Sequence, residues 1–471
     1  MTLEEEAPLG VKNPRSSQYE SLSDSSARML GVPMSSSARE LDNTLSVQQP
    51  DDKPHVHVEF IEGLPIWRAA LLVVNSALGA GILNFPLAYA ECGGITTAFT
   101  IQMCLLVFIT GAFPILAYCA NKHKSQYFQD IIQELLGPGA YIVTQILVVL
   151  YMFGCTVAYM IVIGDQLEKV GEAINSHPHW YLSREFLMCA VCILLFLPLC
   201  LPKTLKVLSY SSVLGTVGAF FICAVVAVKY AEGSYTVSKE FIEVKVPWTK
   251  AFAALPTICF SFMCHVPSVA VYAELRRPSV PRFGIVTVIA MTICNTVYTL
   301  TGSFGYLTFG TTVKSDVLLS YDSNDVLVNI ARVVLSVMVL STGAMVTFCG
   351  RSCLEGLYLA AFRMPPSFAE KNESTRRIVQ TLVWFTLALI TSLYVTDIQY
   401  AIDLIGGMTA LFIFFFPGIF LVQEMLQYSF LTATRKLLIV LGLWYVFVGV
   451  FIFAESEMLA IMEDIKGKGL Y

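Results

Sequence analysis

A break in the first long apolar stretch of the chain supplies residues suited to binding a charged ligand. Residues 75–86 read NSALGAGILNFP. Glycines at 79 and 81 permit unusual dihedral angles and leave the backbone open to a ligand. A helix interrupted here exposes free amides at one break and free carbonyls at the other. The N–H groups of Gly79, Ala80 and Gly81 are therefore predicted to bind an anion such as a carboxylate.

A second break follows half a chain later. Residues 255–267 read LPTICFSFMCHVP, in which two prolines and several hydroxyl or thiol groups interrupt an apolar helix. Carbonyl groups around Cys259, Phe260 and Ser261 are predicted to bind an ammonium group, so one zwitterion would satisfy both breaks. The alternative for the first break is close helix packing by small residues, which leaves the flanking asparagines unexplained.

Hydroxyl groups on a later helix predict a cation site. Ser341 and Thr342 are adjacent and lie near the middle of their apolar window. Together with the side chain of Asn75 and nearby carbonyls they supply five or six oxygen ligands, a set that suits Na⁺ better than Ca²⁺ because it carries no formal charge. The alternative is that both hydroxyls bond back to carbonyls of their own helix.

Three further groups have two interpretations each. His265 either titrates between neutral and acidic pH and binds a functional proton, or only ties down the second break by a hydrogen bond. Thr156 and Tyr159, together with Phe260 and Met263, either contact a ligand side chain or only pack. Arg332 is an intramembrane charge, which usually marks function, but snorkelling to the outer interface or pairing with Asp325 or another outer acid is the simpler explanation.

Membrane helices must position all of these residues. Of the 471 residues 56% are hydrophobic and only 14% are charged, which excludes an ordinary soluble protein. Eleven apolar windows approach the ~20 residues that cross a bilayer, and the alternation of an outer-membrane barrel is absent. The windows lie at about 64–90, 95–120, 141–164, 184–202, 207–230, 251–274, 284–308, 325–350, 379–395, 398–423 and 435–455.

The positions of the two breaks predict the architecture. They fall in windows one and six, which is typical of two inverted repeats of five helices that bind substrate between them at mid-membrane. We expect an all-α integral membrane protein with a 5+5 inverted repeat, broken helices one and six, and an eleventh helix added at the end. No cofactor and no nucleic-acid partner is predicted.

The termini and loops predict an orientation. Residues 1–63 are rich in Ser, Asp and Glu and read as a disordered cytoplasmic tail, in which Tyr19–Leu22 fits a sorting pattern read by vesicle-coat adaptors. With this tail inside, the loops on its side carry fourteen Lys and Arg against nine on the other, as the positive-inside rule requires. Residues 456–471 then form a short lumenal or extracellular tail.

These motifs resemble those of the amino acid/auxin permease superfamily, and more narrowly of the sodium-coupled neutral amino acid transporters. Residues 75–86 resemble the first helix of that family and residues 256–265 the sixth. The segment FGYLTFG at 304–310 with DVLLSY at 316–321 resembles the end of the seventh helix and the loop beyond, and IGG at 405–407 with FPG at 416–418 matches the tenth. LNFP at 83–86 is nearest to the branch of members seven and eight.

The resemblance implies a fold like that of bacterial leucine transporters. It also implies an Na⁺ site formed by Asn75 with Ser341 or Thr342. Many relatives have a proline three residues after the first hydroxyl, whereas this chain has Ala344 preceded by Gly343. A helix bent differently here would weaken sodium coupling and leave protons or exchange as the driving process.

These observations predict a secondary active transporter of small neutral amino acids, with glutamine-like or asparagine-like substrates favoured and Na⁺ as the coupled ion. Its location would be the lysosomal membrane or the plasma membrane. A competing class is an amino-acid-sensing receptor that signals through the cytoplasmic tail. A channel would need a continuous polar pore lining, and an enzyme a nucleophile–base set or metal ligands; the sequence offers neither.

Overall fold

The computed structural model describes residues 63–175, 179–202, 205–235, 248–362, 373–395, 398–430 and 432–467. The cytoplasmic tail predicted at 1–63 lies outside these ranges except for its last residue, and so does the adaptor pattern at Tyr19–Leu22. Within them the secondary structure is helical, with one isolated bridge between Leu64 and Leu275. The all-α class expected from the apolar windows is confirmed.

The helices are numbered here in chain order. They are α1 (Ile66–Ala77), α2 (Gly81–Glu91), α3 (Ile95–His123), α4 (Phe128–Ile174), α5 (Arg184–Val191), α6 (Leu197–Cys200), α7 (Leu205–Glu232), α8 (Ala254–Ser261), α9 (His265–Ala273), α10 (Val280–Phe309), α11 (Val326–Ala361), α12 (Glu373–Tyr394), α13 (Ile398–Ala410), α14 (Phe416–Leu426) and α15 (Ala433–Gly467).

The described residues contain nine helical spans long and apolar enough to cross a membrane, or ten if the bent pair α1 and α2 is counted as one span. The predicted window at 184–202 accounts for the difference from eleven. There the helical segment from Arg184 to Cys200, which includes a π-helical turn at Cys192–Phe196, is only 17 residues long, at the short end of what crosses a bilayer. The structure therefore leaves the eleven-helix count open.

Both predicted breaks are present. The axes of α1 and α2 differ by 59°, and residues 78–80 separate the two helices. Residues 262–264 separate α8 from α9 in the same way. The isolated bridge joins the chain just before α1 to the chain just after α9, at the ends remote from the two breaks. Leu64 N–H donates to the Glu274 carbonyl at 2.8 Å, and Arg276 N–H donates to the Leu64 carbonyl at 2.9 Å.

Burial places the broken helices at the centre and the last helix at the edge. The window Ala251–Ala273, which contains α8 and α9, is 94% buried, whereas the window Ala433–Leu459 of α15 is only 22% buried. Large apolar side chains such as Leu437, Val440 and Phe447 stay exposed on α15. Apolar exposure of this extent fits contact with lipid chains rather than water.

Helix α4 begins well before the predicted window at 141–164. Its first part, from Phe128, is a more polar stretch that hydropathy averaging passes over. A kink at Gly137 and Pro138 joins this part to the membrane span, and Gly137 has φ of 83°. Only glycine adopts that left-handed conformation without strain, so the glycine sets the direction in which the span continues.

The expectation for Arg332 is wrong. Its side chain on α11 is fully buried instead of extending to an exposed position. The guanidinium donates to the backbone carbonyls of Leu318 and Tyr321 at 3.0 and 3.1 Å and to Asn329 Oδ1 at 2.6 Å. Asp325 forms its ion pair with Lys229 instead, at 2.8 Å. Arg332 thus holds the loop between α10 and α11 against the helix core.

Candidate functional site

The first break presents backbone amides to the interior. Gly79 N–H donates to the Ala77 carbonyl at 2.8 Å. The next turns are closed by Ile82 N–H, which donates to the Gly79 carbonyl, and by Leu83 N–H, which donates to the Ala80 carbonyl. In the part of the chain that the structure describes, the N–H groups of Ala80 and Gly81 donate no hydrogen bond. These two amides lie at the positive end of α2, where an anion is stabilised.

The second break lies directly against the first. A Cβ atom added to Gly81 would overlap Ser261 Oγ and lie 2.9 Å from the Ser261 Cα atom. Ser261 is the last residue of α8, so the carbonyl end of α8 adjoins the amide end of α2. A negative and a positive helix terminus are therefore side by side, as recognition of a zwitterion requires.

A small cavity lies between the breaks, α4 and α11. Its volume of about 20 Å³ holds about one water molecule, so an amino acid enters only after the walls move apart. The cavity is lined by Ser76, Ala77, Gly79, Gly81, Tyr151, Met152, Tyr159, Phe260, Met263, Pro267 and Val346.

The predicted site residues divide between this lining and the residues next to it. Gly79, Gly81, Tyr159 and Phe260 line the cavity. The other four predicted contacts are buried next to this lining without being part of it: Ala80, Thr156, Cys259 and Ser261.

Two of those four have hydroxyl groups bonded elsewhere. Ser261 Oγ donates to the Thr257 carbonyl of its own helix at 2.7 Å, so only its backbone is placed to meet a ligand. Thr156 Oγ1 donates to the Met152 carbonyl at 2.8 Å and accepts from Trp384 Nε1 at 3.2 Å. Thr156 therefore faces α12 rather than the cavity.

Sequence reasoning missed two lining residues of α4, Tyr151 and Met152. A helical spacing signal was available, because Tyr151, Cys155 and Tyr159 recur every four residues and so share one face of the helix. Choosing Tyr159 as a contact implied Tyr151 as well. Thr156 lies one turn after the lining residue Met152, but its hydroxyl is taken up by the Met152 carbonyl and Trp384.

The predicted cation ligands come together between α1 and α11. Thr342 Oγ1 lies 3.4 Å from the Asn75 carbonyl and 3.2 Å from the Met338 carbonyl. Asn75 Oδ1 and Ser341 Oγ are buried, and neither has a hydrogen-bond partner among the described residues. A Cβ atom added to Gly215 of α7 would lie only 2.0 Å from Asn75 Oδ1, so this amide oxygen occupies the space left by the missing side chain of the glycine. Orphaned buried oxygens of this kind are costly unless a ligand satisfies them.

His265 is held in an apolar environment. Its Nε2 lies 3.1 Å from the Ile109 carbonyl of α3, and its ring stacks on Phe113 with centroids 4.1 Å apart. The side chain is fully buried at the first position of α9. This geometry favours the anchoring interpretation, in which His265 fastens the second break to α3.

The anchoring interpretation predicts a stability effect without a change in pH response. Replacing His265 by leucine removes the hydrogen bond to the Ile109 carbonyl, which contributes about 0.5–1.5 kcal/mol. We expect His265→Leu to lower the unfolding temperature of the purified protein while the pH profile of its uptake keeps its shape. His179→Leu, in an exposed turn, should change neither. A stable His265→Leu protein with a flattened pH profile would favour proton coupling instead.

Comparisons with known proteins give consistent matches. Residues 62–462 match the family described as "Transmembrane amino acid transporter protein". The chain is 41% identical over 406 residues to sodium-coupled neutral amino acid transporter 7 of Danio rerio, covering 84% of this chain and 87% of that protein. It is 37% identical to the Homo sapiens protein of the same name, covering 84% and 88%. Putative sodium-coupled neutral amino acid transporter 8 of Xenopus tropicalis is 32% identical, with 84% and 93% covered.

A solved structure has the same fold. The crystal structure of MhsT in complex with L-phenylalanine aligns with a TM-score of 0.56, covering 83% of this chain and 98% of that one at 14% sequence identity. MhsT is a transporter of the leucine-transporter fold. The fold class expected from the spacing of the two breaks and from the motifs is therefore confirmed, as is the resemblance to members seven and eight.

Proposed function

The chain belongs to the family of transmembrane amino acid transporter proteins, in the branch of sodium-coupled neutral amino acid transporters seven and eight, and from this premise we propose that it carries small neutral amino acids across a membrane. Glutamine-like or asparagine-like substrates are favoured, with Na⁺ as the coupled ion. The protein is a transporter and not an enzyme. It acts by alternating access, in which one helix bundle rocks against the other around a central site.

The observation that supports this proposal most strongly is the pairing of opposite helix ends at the central cavity. The substrate carboxylate binds the N–H groups of Ala80 and Gly81, which have no other acceptor among the described residues. Gly79, predicted as a third donor, already bonds to Ala77 and contributes mainly space. The substrate ammonium binds the carbonyl end of α8, near Phe260 and Ser261.

The walls of the cavity limit the substrate side chain. Tyr151, Met152, Tyr159, Phe260 and Met263 surround the space beside the two breaks. They offer apolar surface together with two phenol groups and carry no charge. A neutral side chain that accepts or donates hydrogen bonds fits this lining better than a charged one, which would be left without a counter-charge.

Sodium coupling is proposed at the cluster of Asn75, Ser341 and Thr342. Two of its oxygens are buried without partners in the described chain, and the Asn75 carbonyl belongs to the same α1 that ends at the substrate site. An ion bound here holds α1 against α11 and so favours the arrangement of α1 in which the substrate amides are in place. The cluster therefore links ion binding to substrate binding.

The membrane and the orientation belong to the same proposal. The Lys and Arg distribution favours an N-terminus in the cytoplasm, with the loop between α10 and α11 on the opposite side. The lysosomal membrane and the plasma membrane are the two proposed locations, and a vesicle-coat adaptor that reads Tyr19–Leu22 would direct the protein between them.

The test is uptake of radiolabelled glutamine into proteoliposomes that contain the purified protein, with and without an inward Na⁺ gradient. We expect the gradient to drive uptake. Asn75→Ala and Ser341→Ala should each reduce the Na⁺-driven part about tenfold, within the usual range of coupling between linked sites. Ser336→Ala is the matched control, because Ser336 is buried on the same helix but donates to the Arg332 carbonyl at 2.9 Å.

Three other outcomes would each change a different part of the proposal. Uptake that does not depend on Na⁺ but follows a pH gradient would support the carrier and replace Na⁺ by H⁺ as the coupled ion. Uptake that requires amino acid on the far side would indicate exchange. Binding of glutamine without any uptake would contradict transport and favour a receptor, which should then lose its output when residues 1–60 are deleted.

A further inference from the structure

One tyrosine hydroxyl connects the two broken helices. Tyr298 of α10 is fully buried, and its hydroxyl lies 2.7 Å from the carbonyl oxygen of Ala77 and 2.7 Å from that of Ser261. Ala77 is the last residue of α1 and Ser261 the last residue of α8. The hydroxyl thus touches the carbonyl end of each half-helix that stops in the membrane.

The ring of Tyr298 is fixed by the same two breaks. It stacks on Phe85 of α2 with centroids 4.4 Å apart, and it meets Phe262, between α8 and α9, edge to face at 5.0 Å. Each partner comes from one of the broken segments. Contacts of this type stabilise a defined ring orientation, so the hydroxyl cannot leave the two carbonyls without disturbing both breaks.

A phenol has one proton, so it donates to only one of the two carbonyls at a time. The two acceptors differ in what else they receive. The Ala77 carbonyl also accepts from Gly79 N–H at 2.8 Å, whereas the Ser261 carbonyl has no second donor in the described chain. A buried carbonyl without a donor is costly. The Tyr298 hydroxyl therefore donates its hydrogen bond to the Ser261 carbonyl while the site holds no ligand.

Arrival of an ammonium group changes this balance. An ammonium carries three donors and no acceptor, and the carbonyl end of α8 is where the proposed substrate places it. Once the Ser261 carbonyl receives a charge-assisted hydrogen bond from the substrate, the phenol proton is no longer needed there. It can turn to the Ala77 carbonyl by rotation about a single C–O bond.

We propose that Tyr298 is a positioning residue that transfers its hydrogen bond from the Ser261 carbonyl to the Ala77 carbonyl when the substrate amino group binds. Binding at the second break is thereby transmitted to the end of α1, which also carries Asn75 of the cation cluster. Tyr298 does not line the cavity and acts through the two carbonyls. This inference rests on the proposed function, and it assigns to this chain a residue that links its two repeats.

The test compares Tyr298→Phe with native protein in glutamine uptake, with saturation curves measured in the same proteoliposomes. The variant keeps the ring and its stacking but loses the hydroxyl that lies 2.7 Å from each carbonyl, so the two carbonyl ends are no longer held at the spacing that receives the substrate ammonium. We expect KM to rise about tenfold while the maximal rate per folded molecule stays within about threefold. The concentration of glutamine that protects the protein against heat should rise by the same factor as KM.

Tyr445→Phe is the matched control. Tyr445 is also a buried tyrosine whose hydroxyl donates to a backbone carbonyl, that of Phe108, at 2.8 Å, but it contacts neither break. It should lose some heat stability and keep the native KM. A Tyr298→Phe protein with native KM and only reduced stability would overturn the inference and leave Tyr298 a packing residue. Absence of uptake in the native protein would instead reject the proposed function, so the two failures are distinguishable.

Discussion

Replacement of Gly81 by alanine is expected to abolish glutamine uptake, reducing it by about a hundredfold, which is the scale on which a displacement of about 1 Å at a reacting site acts. The added methyl group would overlap Ser261 Oγ and lie 2.8 and 2.9 Å from the Ser261 Cβ and Cα atoms. A side-chain atom can turn away, but the Cα belongs to the backbone of α8. The clash must therefore separate α2 from α8 and with them the amide and carbonyl ends.

The expected loss is one of function more than of folding. Overpacking of a core by a methyl group costs about 1–3 kcal/mol, which a large membrane protein can tolerate. Uptake normalised to the amount of monodisperse protein in size-exclusion chromatography separates the two effects. Unchanged uptake by a well-folded Gly81→Ala protein would mean that the substrate does not bind between α2 and α8.

Gly284 provides the matched control for this substitution. It lies near the start of α10, and a Cβ placed on it meets no atom within 4 Å. Alanine is favoured over glycine in a helix by about 1 kcal/mol, so Gly284→Ala should fold at least as well as the native protein and transport normally. Combining Gly81→Ala with Ser261→Gly removes two of the three contacts and should restore part of the uptake, which a double-mutant cycle would measure.

The breaks could be predicted from sequence because their chemistry is local. Glycine and proline change the backbone wherever they stand, so residues 78–81 and 256–267 indicate interruptions without knowledge of any neighbour. Their spacing of half a chain then predicted the inverted repeat. The same reasoning predicted Asn75 opposite Ser341 and Thr342, because a cation beside the first break needs oxygen ligands from an opposing helix.

Contacts made to backbone carbonyls could not be predicted in this way. Tyr298 binds Ala77, 221 residues away, and Arg332 binds Leu318 and Tyr321. Every residue has a carbonyl, so the acceptor leaves no mark in the sequence. This is why Arg332 was expected at the interface although it is buried, and why Tyr298 did not stand out among 21 tyrosines.

The second large effect is expected at the loop between α10 and α11, where a buried carboxyl holds the loop to α4. Asp316 Oδ2 accepts from Gln166 Nε2 at 2.5 Å and Asp316 Oδ1 accepts from Leu318 N–H at 2.9 Å. Asp316 forms no ion pair within the described residues. Arg184 of α5 pairs with Asp165 of α4 rather than with Asp316.

The charges around Asp316 favour its protonated form. Burial, followed by the negative charge of Asp165, raises the pKa of Asp316 to about 7, although the Leu318 N–H and the Arg332 guanidinium act in the opposite direction. A carboxyl whose pKa is raised by folding contributes stability at low pH, and that contribution disappears as the pH rises through about 7. The loop should therefore hold its place in acid and loosen in neutral or alkaline solution.

We expect the amides of residues 310–325 to lose hydrogen-exchange protection about tenfold between pH 6 and pH 8, because one proton is released over this interval. The measurement is exchange followed by mass spectrometry on the purified protein, corrected for the intrinsic pH dependence of exchange. Asp316→Asn mimics the protonated carboxyl and should keep the loop protected throughout. The same pH-dependent loss of protection in Asp316→Asn would contradict the assignment.

Asp325 supplies the control, because it lies in the same loop and its pKa is shifted in the opposite direction. Burial alone would raise its pKa, but hydrogen bonds from Lys229, Val328 N–H and Tyr235 outweigh burial and lower it. Asp325 therefore stays ionised across the interval, and Asp325→Asn should weaken protection equally at pH 6 and pH 8. Asp165→Asn should instead move the midpoint to lower pH, since the charge that disfavours ionisation of Asp316 is gone. Because the loop packs on α2 and α4, which line the cavity, its release by alkaline solution would favour opening of the site towards this loop.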